Sequence, residues 1–312
     1  MVLGKVFLLI YYFLNTHIDM TKKFVLSAGL LAMGSMGSQA ALIHRYSFND
    51  AAGDASGAEL TDSVGGAHGV VRGAGAVFSG SGLDLPGGDS GVAAYGDLPN
   101  NLISPHSAVT VEGWVAVDAT TQPWARVFDF GSTESADGNG EVTDVGNTNG
   151  GGTAGLDYFF LSATINGTDY GQQRVEVRNE DPAGGGISTF DSASATTAGS
   201  FFHYAVTWAD NGDGTSTLNY WRDGEQKVTD AISTSTLSDL NDVNSWLGRS
   251  TWLNDGNLDG TFDEFRIYNT ALTGDQVAAS FAAGPDAAAI PEASSALLGL
   301  VGLMMGLGFR RR

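Results

Sequence analysis

The sequence predicts an all-β protein: a two-sheet antiparallel sandwich with one short C-terminal helix, flanked by a signal helix and a membrane-anchor helix at the two ends. Three observations predict it. A dozen or so short apolar or alternating runs recur between turns rich in Gly, Asn and Asp. Gly makes up 44 of 312 residues, about twice ordinary usage, as many tight turns require. No long amphipathic helix separates the runs, so the strands must pair with one another rather than alternate with helices.

Leu42–Phe48 opens the folded body as a strand, and Asn49–Gly66 reads as loop. Ala67–Arg72, Val77-Phe78, Leu83–Leu85 and Val92–Tyr95 are short strands, with Ser79-Gly80-Ser81-Gly82 as a turn. Ala108–Val117 is the cleanest strand. Val109, Val111, Val115 and Val117 share one face, and Thr110, Glu112, Trp114 and Ala116 the other, which separates a core face from a face suited to lining a groove. Arg126–Phe130 precedes a polar insertion, Gly131–Gly155, whose length suits a rim loop or disorder. Tyr158–Thr164, Gln173–Arg178, Phe201–Trp208, Ser216–Trp221 and Glu225–Asp230 complete the middle of the chain. Asn211-Gly212 and Asp213-Gly214 turn one hairpin, and Asp223-Gly224 a second.

Trp246–Tyr268 reads as a final strand pair turning through Asn254-Asp255-Gly256-Asn257. In its second strand Phe265 and Ile267 face the core, with Phe262, Arg266 and Tyr268 opposite. One helix follows, Thr273–Ala283. Thr273 and Gln276 form a capping box, Val277 and Phe281 face the sheet, and Gly284-Pro285 stops it. The body is therefore expected over 41–284, with a linker at 285–290.

Both ends read as addresses. Met20-Thr21-Lys22-Lys23, the apolar run Phe24–Met33 and the small residues of Ser38-Gln39-Ala40 make a secretory signal peptide over residues 1–40, with Met20 as the start. At the other end, Pro291-Glu292 leads into Ala293–Phe309, 17 residues or about 25 Å of helix, the short limit of a membrane span. Arg310, Arg311 and Arg312 would then stay on the cytoplasmic side. This tripartite tail, over 291–312, resembles the PEP-CTERM sorting signal of Gram-negative bacteria that make extracellular polysaccharide. Pro291 and Glu292 match its motif, and Ala293 replaces the usual second Pro. The resemblance implies processing near Pro291 by an exosortase-type protease, transient membrane anchoring, and a destination at the cell surface or in the extracellular matrix.

Charge and composition narrow the partners. Cys is absent, so there are no disulfides and no thiolate metal sites. Residues 41–289 hold 33 Asp and Glu against 9 Lys and Arg, a net charge of −24. Such a surface repels nucleic acid and anionic membranes and suits divalent cations or neutral polymers.

Six stretches in order resemble the laminin-G-like, concanavalin A-like jelly roll. They are Arg45-Tyr46-Ser47-Phe48, Asp62-Ser63-Val64-Gly65-Gly66, Thr110-Val111-Glu112-Gly113-Trp114-Val115, His203-Tyr204-Ala205-Val206-Thr207-Trp208, Trp246-Leu247-Gly248-Arg249-Ser250 and Phe262–Tyr268. Family members bind carbohydrate or protein ligands, often at a loop rim with Ca²⁺, or serve as matrix modules. Related β-glucanases carry a Glu-x-Asp-x-x-Glu strand that sets an acid and a nucleophile into one cleft. That run does not occur in this sequence, Glu112 is the sole acid of its strand, and His203 reads as a hydrogen-bonded structural histidine. A non-enzymatic module that binds glycans or matrix components is expected, with a purely structural or adhesive matrix protein as the alternative and a glycan-active enzyme behind both. Sugar platforms are sought at Trp114, Trp124 and Trp252, with Glu112 beside them; Trp124 and Trp252 lie next to loops and are expected to be exposed. The Ca²⁺ that the resemblance implies would fall to Asp50, Asp62 and Asp263, on the first loop and last strand.

Overall fold

The computed structural model describes residues 40–134, 139–142, 152–162, 164–165, 172–179, 187–192 and 197–287. The signal peptide up to residue 39 and the whole sorting tail lie outside these residues. Among the described residues, no helix is long and apolar enough to cross a membrane.

Seventeen strands are described. In chain order they are β1 (Leu42–Tyr46), β2 (Gly53–Asp54), β3 (Glu59–Leu60), β4 (Gly69–Arg72), β5 (Val77–Phe78), β6 (Leu83–Gly88), β7 (Tyr95–Leu98), β8 (Ala108–Val117) and β9 (Arg126–Thr133). After the insertion come β10 (Gly155–Ser162), β11 (Gln173–Arg178), β12 (Ile187–Ser192), β13 (Phe201–Asp210), β14 (Ser216–Arg222), β15 (Glu225–Ser233), β16 (Asn244–Leu247) and β17 (Asn257–Tyr268). Helix α1 (Gly274–Ala283) follows. Sheet I runs β15-β14-β13-β8-β17-β6-β5-β2, with β1 also on β17; sheet II runs β12-β11-β10-β9-β16-β7-β4-β3. All of these ladders are antiparallel.

The sheets pack face to face, as alternation in strands such as β8 requires. Val109, Val111, Val115 and Val117 meet Phe128, Phe130 and Phe159 of sheet II in the main core. Gly113 interrupts the Val series for a reason. A Cβ there would lie 2.6 Å from both the Glu264 carbonyl oxygen and the Tyr204 hydroxyl. The second hairpin turns at Asp223 (φ 51°) and Gly224 (φ 75°), two consecutive left-handed residues as a type I′ turn demands.

The last strands depart from expectation. Trp246–Leu247 and Gly260–Tyr268 are not a hairpin: β16 lies between β9 and β7 in sheet II, whereas β17 lies beside β8 in sheet I. The segment between them crosses from one sheet to the other. A bulge between Phe262 and Glu264 also shifts the phase of β17, so Phe262 joins Phe265 and Ile267 in the main core. Val92, expected within a strand, is 64% exposed, and β7 starts only at Tyr95. The short strands β2, β3 and β12 were not expected; their sequences carry little apolar patterning.

The outer face of sheet I is not a groove. Helix α1, capped by Thr273 and Gln276 as expected, lies against it, and Val277 packs with Ala205, Trp221, Tyr268 and Leu272 in a second apolar cluster. Beneath this cover sits a polar network. Glu112 Oε1 meets His203 Nε2 at 2.8 Å, and Tyr268 donates to Glu112 Oε2 at 3.0 Å. Arg266 Nε donates to Glu264 Oε1 at 2.7 Å, and Arg45 Nε donates to the same oxygen at 2.5 Å. The Arg266 guanidinium lies 5.0 Å from the Trp114 ring, whose other neighbour is the His203 imidazole at 4.6 Å. Glu112 and Trp114, sought as ligand groups, are therefore buried. The helix takes the face that was expected to line a groove.

Arg266 also ties down the chain as it leaves the helix, donating to the carbonyls of Pro285 and Ala287. Removing one partner of a buried charge network leaves the others uncompensated, which costs about 3–5 kcal/mol. Arg266→Leu is expected to lower the unfolding free energy by that amount in urea titration, and to open the chain near 285–287 to proteolysis under native conditions. Stability within 1 kcal/mol of wild type, a figure below that range, would refute this account.

Candidate functional site

With sheet I covered, the outer face of sheet II becomes the place to look. Two loops shape it. The first is the 248–256 crossing. It leaves β16 through Gly248 (φ 83°) and folds back over the sheet. Thr251 donates from its backbone N–H (2.9 Å) and its hydroxyl (3.1 Å) to Asp129 Oδ2 on β9. Ser250 Oγ bonds both Asp255 Oδ2 and the Trp252 N–H at 3.0 Å, and Leu253 N donates to Thr153 O at 2.8 Å. The loop is thereby held with Trp252 outward, 36% exposed. Gly155 permits this, since a Cβ there would lie 3.0 Å from the Trp252 indole.

The second loop precedes β9. Trp124 sits at φ 65°, a left-handed conformation that a bulky residue rarely adopts, and its N–H donates to Thr164 O at 2.9 Å. The half-buried indole lies 5.1 Å from the Arg174 guanidinium and 5.9 Å from that of Arg126. Arg126 in turn lies 3.8 Å from the centre of the Phe160 ring, donates to Asp255 Oδ2 at 3.2 Å and to the Trp124 carbonyl. One guanidinium thus connects the two loops.

Around the indoles stand paired charges. Arg174 donates to both oxygens of Asp191, at 2.6 and 2.9 Å. Glu176 accepts from Tyr158 at 2.7 Å and Thr189 at 3.0 Å. Aromatic faces flanked by guanidinium donors and carboxylate acceptors can stack an apolar ring face while exchanging hydrogen bonds with hydroxyls at its edge. Arg174 and Arg126 are each paired with a carboxylate, which leaves little uncompensated positive charge around the indoles.

Trp124 and Trp252 share this face, Trp252 exposed as expected but Trp124 only half-exposed, because its indole lies against the Arg174 and Arg126 guanidinium groups; Trp114 and Glu112 do not share it. Sequence reasoning missed Arg126, Asp129, Glu176, Arg174 and Asp255. One signal was available. Of the 9 Lys and Arg in residues 41–289, Arg72, Arg126, Arg174 and Arg178 lie on strands now found in sheet II, and Arg249 lies two residues beyond the end of β16.

The three carboxylates considered for Ca²⁺ do not fit a cation site. Burial pushes the Asp62 carboxyl up, but donors outweigh it: the N–H groups of Arg45, Val64, Gly65 and Ala67, with the His44 ring, hold it down at about 2. Its lone pairs are committed within the protein. Asp50 is exposed, and Asp263 is pushed up to about 6 by burial and by Asp286 and Glu264. Among the described residues no three acidic or imidazole groups are placed to hold a metal.

Asp129 is the buried anchor of the site. Burial raises its carboxyl from 3.8 to about 7, against the pull of Arg126, whose Nε lies 3.4 Å from Oδ2, and of Thr251. Between those two values the folded protein keeps a proton that the unfolded chain has released, so this group's contribution to stability falls as pH rises through the window. Asp129→Asn mimics the protonated form at every pH. Its unfolding free energy relative to wild type is expected to rise between pH 4 and pH 7, by about 1.4 kcal/mol for each pH unit of the window. Parallel urea titrations would measure this, and a pH-independent difference would refute it.

Comparison with known proteins places this architecture. No curated protein matches the chain. Domain 4 of AbnA, an extracellular arabinanase of Geobacillus stearothermophilus solved in complex with arabinotriose, is similar in fold at 20% identity and a TM-score of 0.51, covering 77% of this chain and 98% of that domain. A sialidase of Trypanosoma rangeli is similar at 16% identity and a TM-score of 0.50; the match covers 77% of this chain but only 32% of the sialidase. A CBM40 from a Ruminococcus gnavus sialidase matches at 16% identity and a TM-score of 0.45, covering 64% of this chain and 95% of the module. The model of the concanavalin A-like lectin/glucanases superfamily (Laminin_G_3) matches residues 89–278, more than half of the chain. The chain belongs to that superfamily.

Proposed function

We propose that this is a non-enzymatic, exported module that binds neutral glycans of an extracellular polysaccharide or matrix through the outer face of sheet II. The observation that carries the reading is the pair Trp252 and Trp124: an exposed indole and a half-buried one on one face, the second held in a costly backbone conformation, with the Arg174–Asp191 and Arg126–Asp255 pairs beside them. The arabinotriose seen with the arabinanase domain is compatible with such a ligand. Support for a non-catalytic role comes from the carboxylates themselves. Glu112 is sealed under α1, and Asp129 is fully buried beneath Thr251.

The expected test is a glycan array with the purified protein, with Ca²⁺ and again with EDTA. Binding is expected in both buffers, because the reading rests on the indoles and not on Asp50, Asp62 and Asp263, which do not form a metal-holding group among the described residues. Trp124→Ala and Trp252→Ala should each weaken binding about tenfold, or 1.4 kcal/mol, with unchanged far-UV circular dichroism. Absence of binding in either buffer would favour a purely structural or adhesive matrix protein; turnover of the bound glycan would favour an enzyme.

The destination is part of the same proposal. The 291–312 tail would direct an exosortase-type protease to Pro291, after signal-peptide-dependent export and transient anchoring by the 293–309 helix. Changing Pro291 and Glu292 to Ala should accumulate a larger, membrane-associated precursor on immunoblots of fractionated cells. Unaltered size and distribution would remove the sorting role.

A further inference from the structure

We propose that sheet II carries a second, separate subsite, a polar groove sized for a single neutral sugar ring at a chain end or side branch. This inference rests on the glycan reading above. The groove has a volume of about 270 Å³ and lies between β4, the end of β7 and the 139–142 segment, lined by His68, Val70, Arg72, Asp97, Asn100 and Glu141 among others. That volume is just under the roughly 300–1,000 Å³ of sites for drug-sized ligands, so it fits one ring rather than a chain.

The lining suits hydroxyl groups. Arg72 and Asp97 are bonded to each other, and Asp97 also accepts from Trp246 Nε1 at 3.1 Å, which fixes the carboxylate at the groove wall. Asn100 Nδ2 donates to Glu141 Oε1 at 3.0 Å on the opposite side. The His68 Nδ1 accepts from the Asp62 N–H at 3.1 Å, which assigns the proton of the neutral ring to Nε2, a donor. Val70 adds an apolar patch. Donors and acceptors thus alternate around a small apolar surface. The cation is already paired, and the surrounding protein is strongly acidic, so an anionic ligand would gain little.

The groove's wall is pinned. Val142 N donates to Asn244 Oδ1 at 2.9 Å, while Asn244 Nδ2 donates to Gly140 O at 2.8 Å and to Gly131 O at 3.1 Å. Val142 and Leu253 pack over Tyr95 and Trp246 as a ridge. Beyond those residues lies the part of the face that carries the two indoles, the indole cleft, which is the space between the 248–256 loop and the Trp124 loop. Register relates the two: Asp97 pairs with Trp246, Trp246 with Asp129, and Asp129 with Phe160, all on neighbouring strands. Asp97 and Phe160 are therefore three strand spacings apart, roughly 14 Å. A branched or sufficiently long glycan could fill both, and linked occupancy would multiply the two affinities.

The test is ¹⁵N NMR titration of the protein with neutral gluco-, galacto- and arabino-oligosaccharides of graded length, arabinotriose included. The Trp246 indole N–H and the Asn100 side-chain amide report the groove; the Trp124 and Trp252 indoles report the cleft. Both sets are expected to shift with the longest ligand that binds. Val70→Phe, which fills the groove, should abolish the groove response, preserve the cleft response and weaken the long ligand about tenfold. Asn100→Ala, at an exposed loop position, should weaken it in the same direction should the bulkier variant fail to fold. Groove resonances that stay fixed while the cleft saturates would overturn the second subsite and leave the glycan reading intact. If neither set responds to any of these sugars, both fall together.

Discussion

Two carboxylates that point out of the same sheet govern one whole side of this molecule. Glu112 and Glu264 are both fully buried, and burying an ionised carboxylate is tolerable only if its charge is matched and its lone pairs are filled. Arg266 and Arg45 supply the charge, while His203 and Tyr268 supply further hydrogen bonds. Excluding water then needs a cover, which α1 provides, with Phe281 against the His203 ring at 5.5 Å and Val277 in the apolar cluster beside it. The covered face becomes a second core, and the residues that would have made a binding cleft there become part of its packing.

That closure leaves sheet II as the sheet with an accessible outer face. Sheet II has no helix on its outer face among the described residues, and its accessible side chains are shaped instead by loops. The crossing from β16 to β17 matters most, because it must change sheets and so passes over the rim. Asp129 holds this crossing from below and Arg126 braces it against the Trp124 loop. Rigid strands therefore position the two indoles through a buried carboxyl group and a buried guanidinium rather than through the loops' own preferences.

Burial also explains why polar groups so similar in sequence act differently. Asp62 is a carboxylate satisfied by a ring of backbone N–H groups, as an N-terminal cap would be, and it stays ionised. Asp129 has fewer donors and deeper burial, and its carboxyl moves the other way. Asp263 has no compensating cation among the described residues and rises through burial and beside Asp286 and Glu264. Residue type alone does not distinguish these three; the surrounding donors do.

The sequence by itself determined what local periodicity and turn chemistry encode. The strands Ala108–Val117 and Gln173–Arg178, the Asp223-Gly224 turn and the Thr273–Gln276 capping box are all readable within a few residues, because each depends on neighbours along the chain. Proximity to loops likewise marked Trp252 as exposed, whereas Trp124 is half-buried against two guanidinium groups. Tertiary structure alone decided the rest. The bulge at Phe262–Glu264, the assignment of β16 and β17 to different sheets, and the helix over Glu112 and Trp114 depend on contacts between distant segments. Arg126 and Asp255 are 129 residues apart in sequence, and Asp129 and Thr251 are 122 apart. Such partners leave no mark in local pattern, since the energy that joins them exists only once both sheets have formed and excluded water from between them.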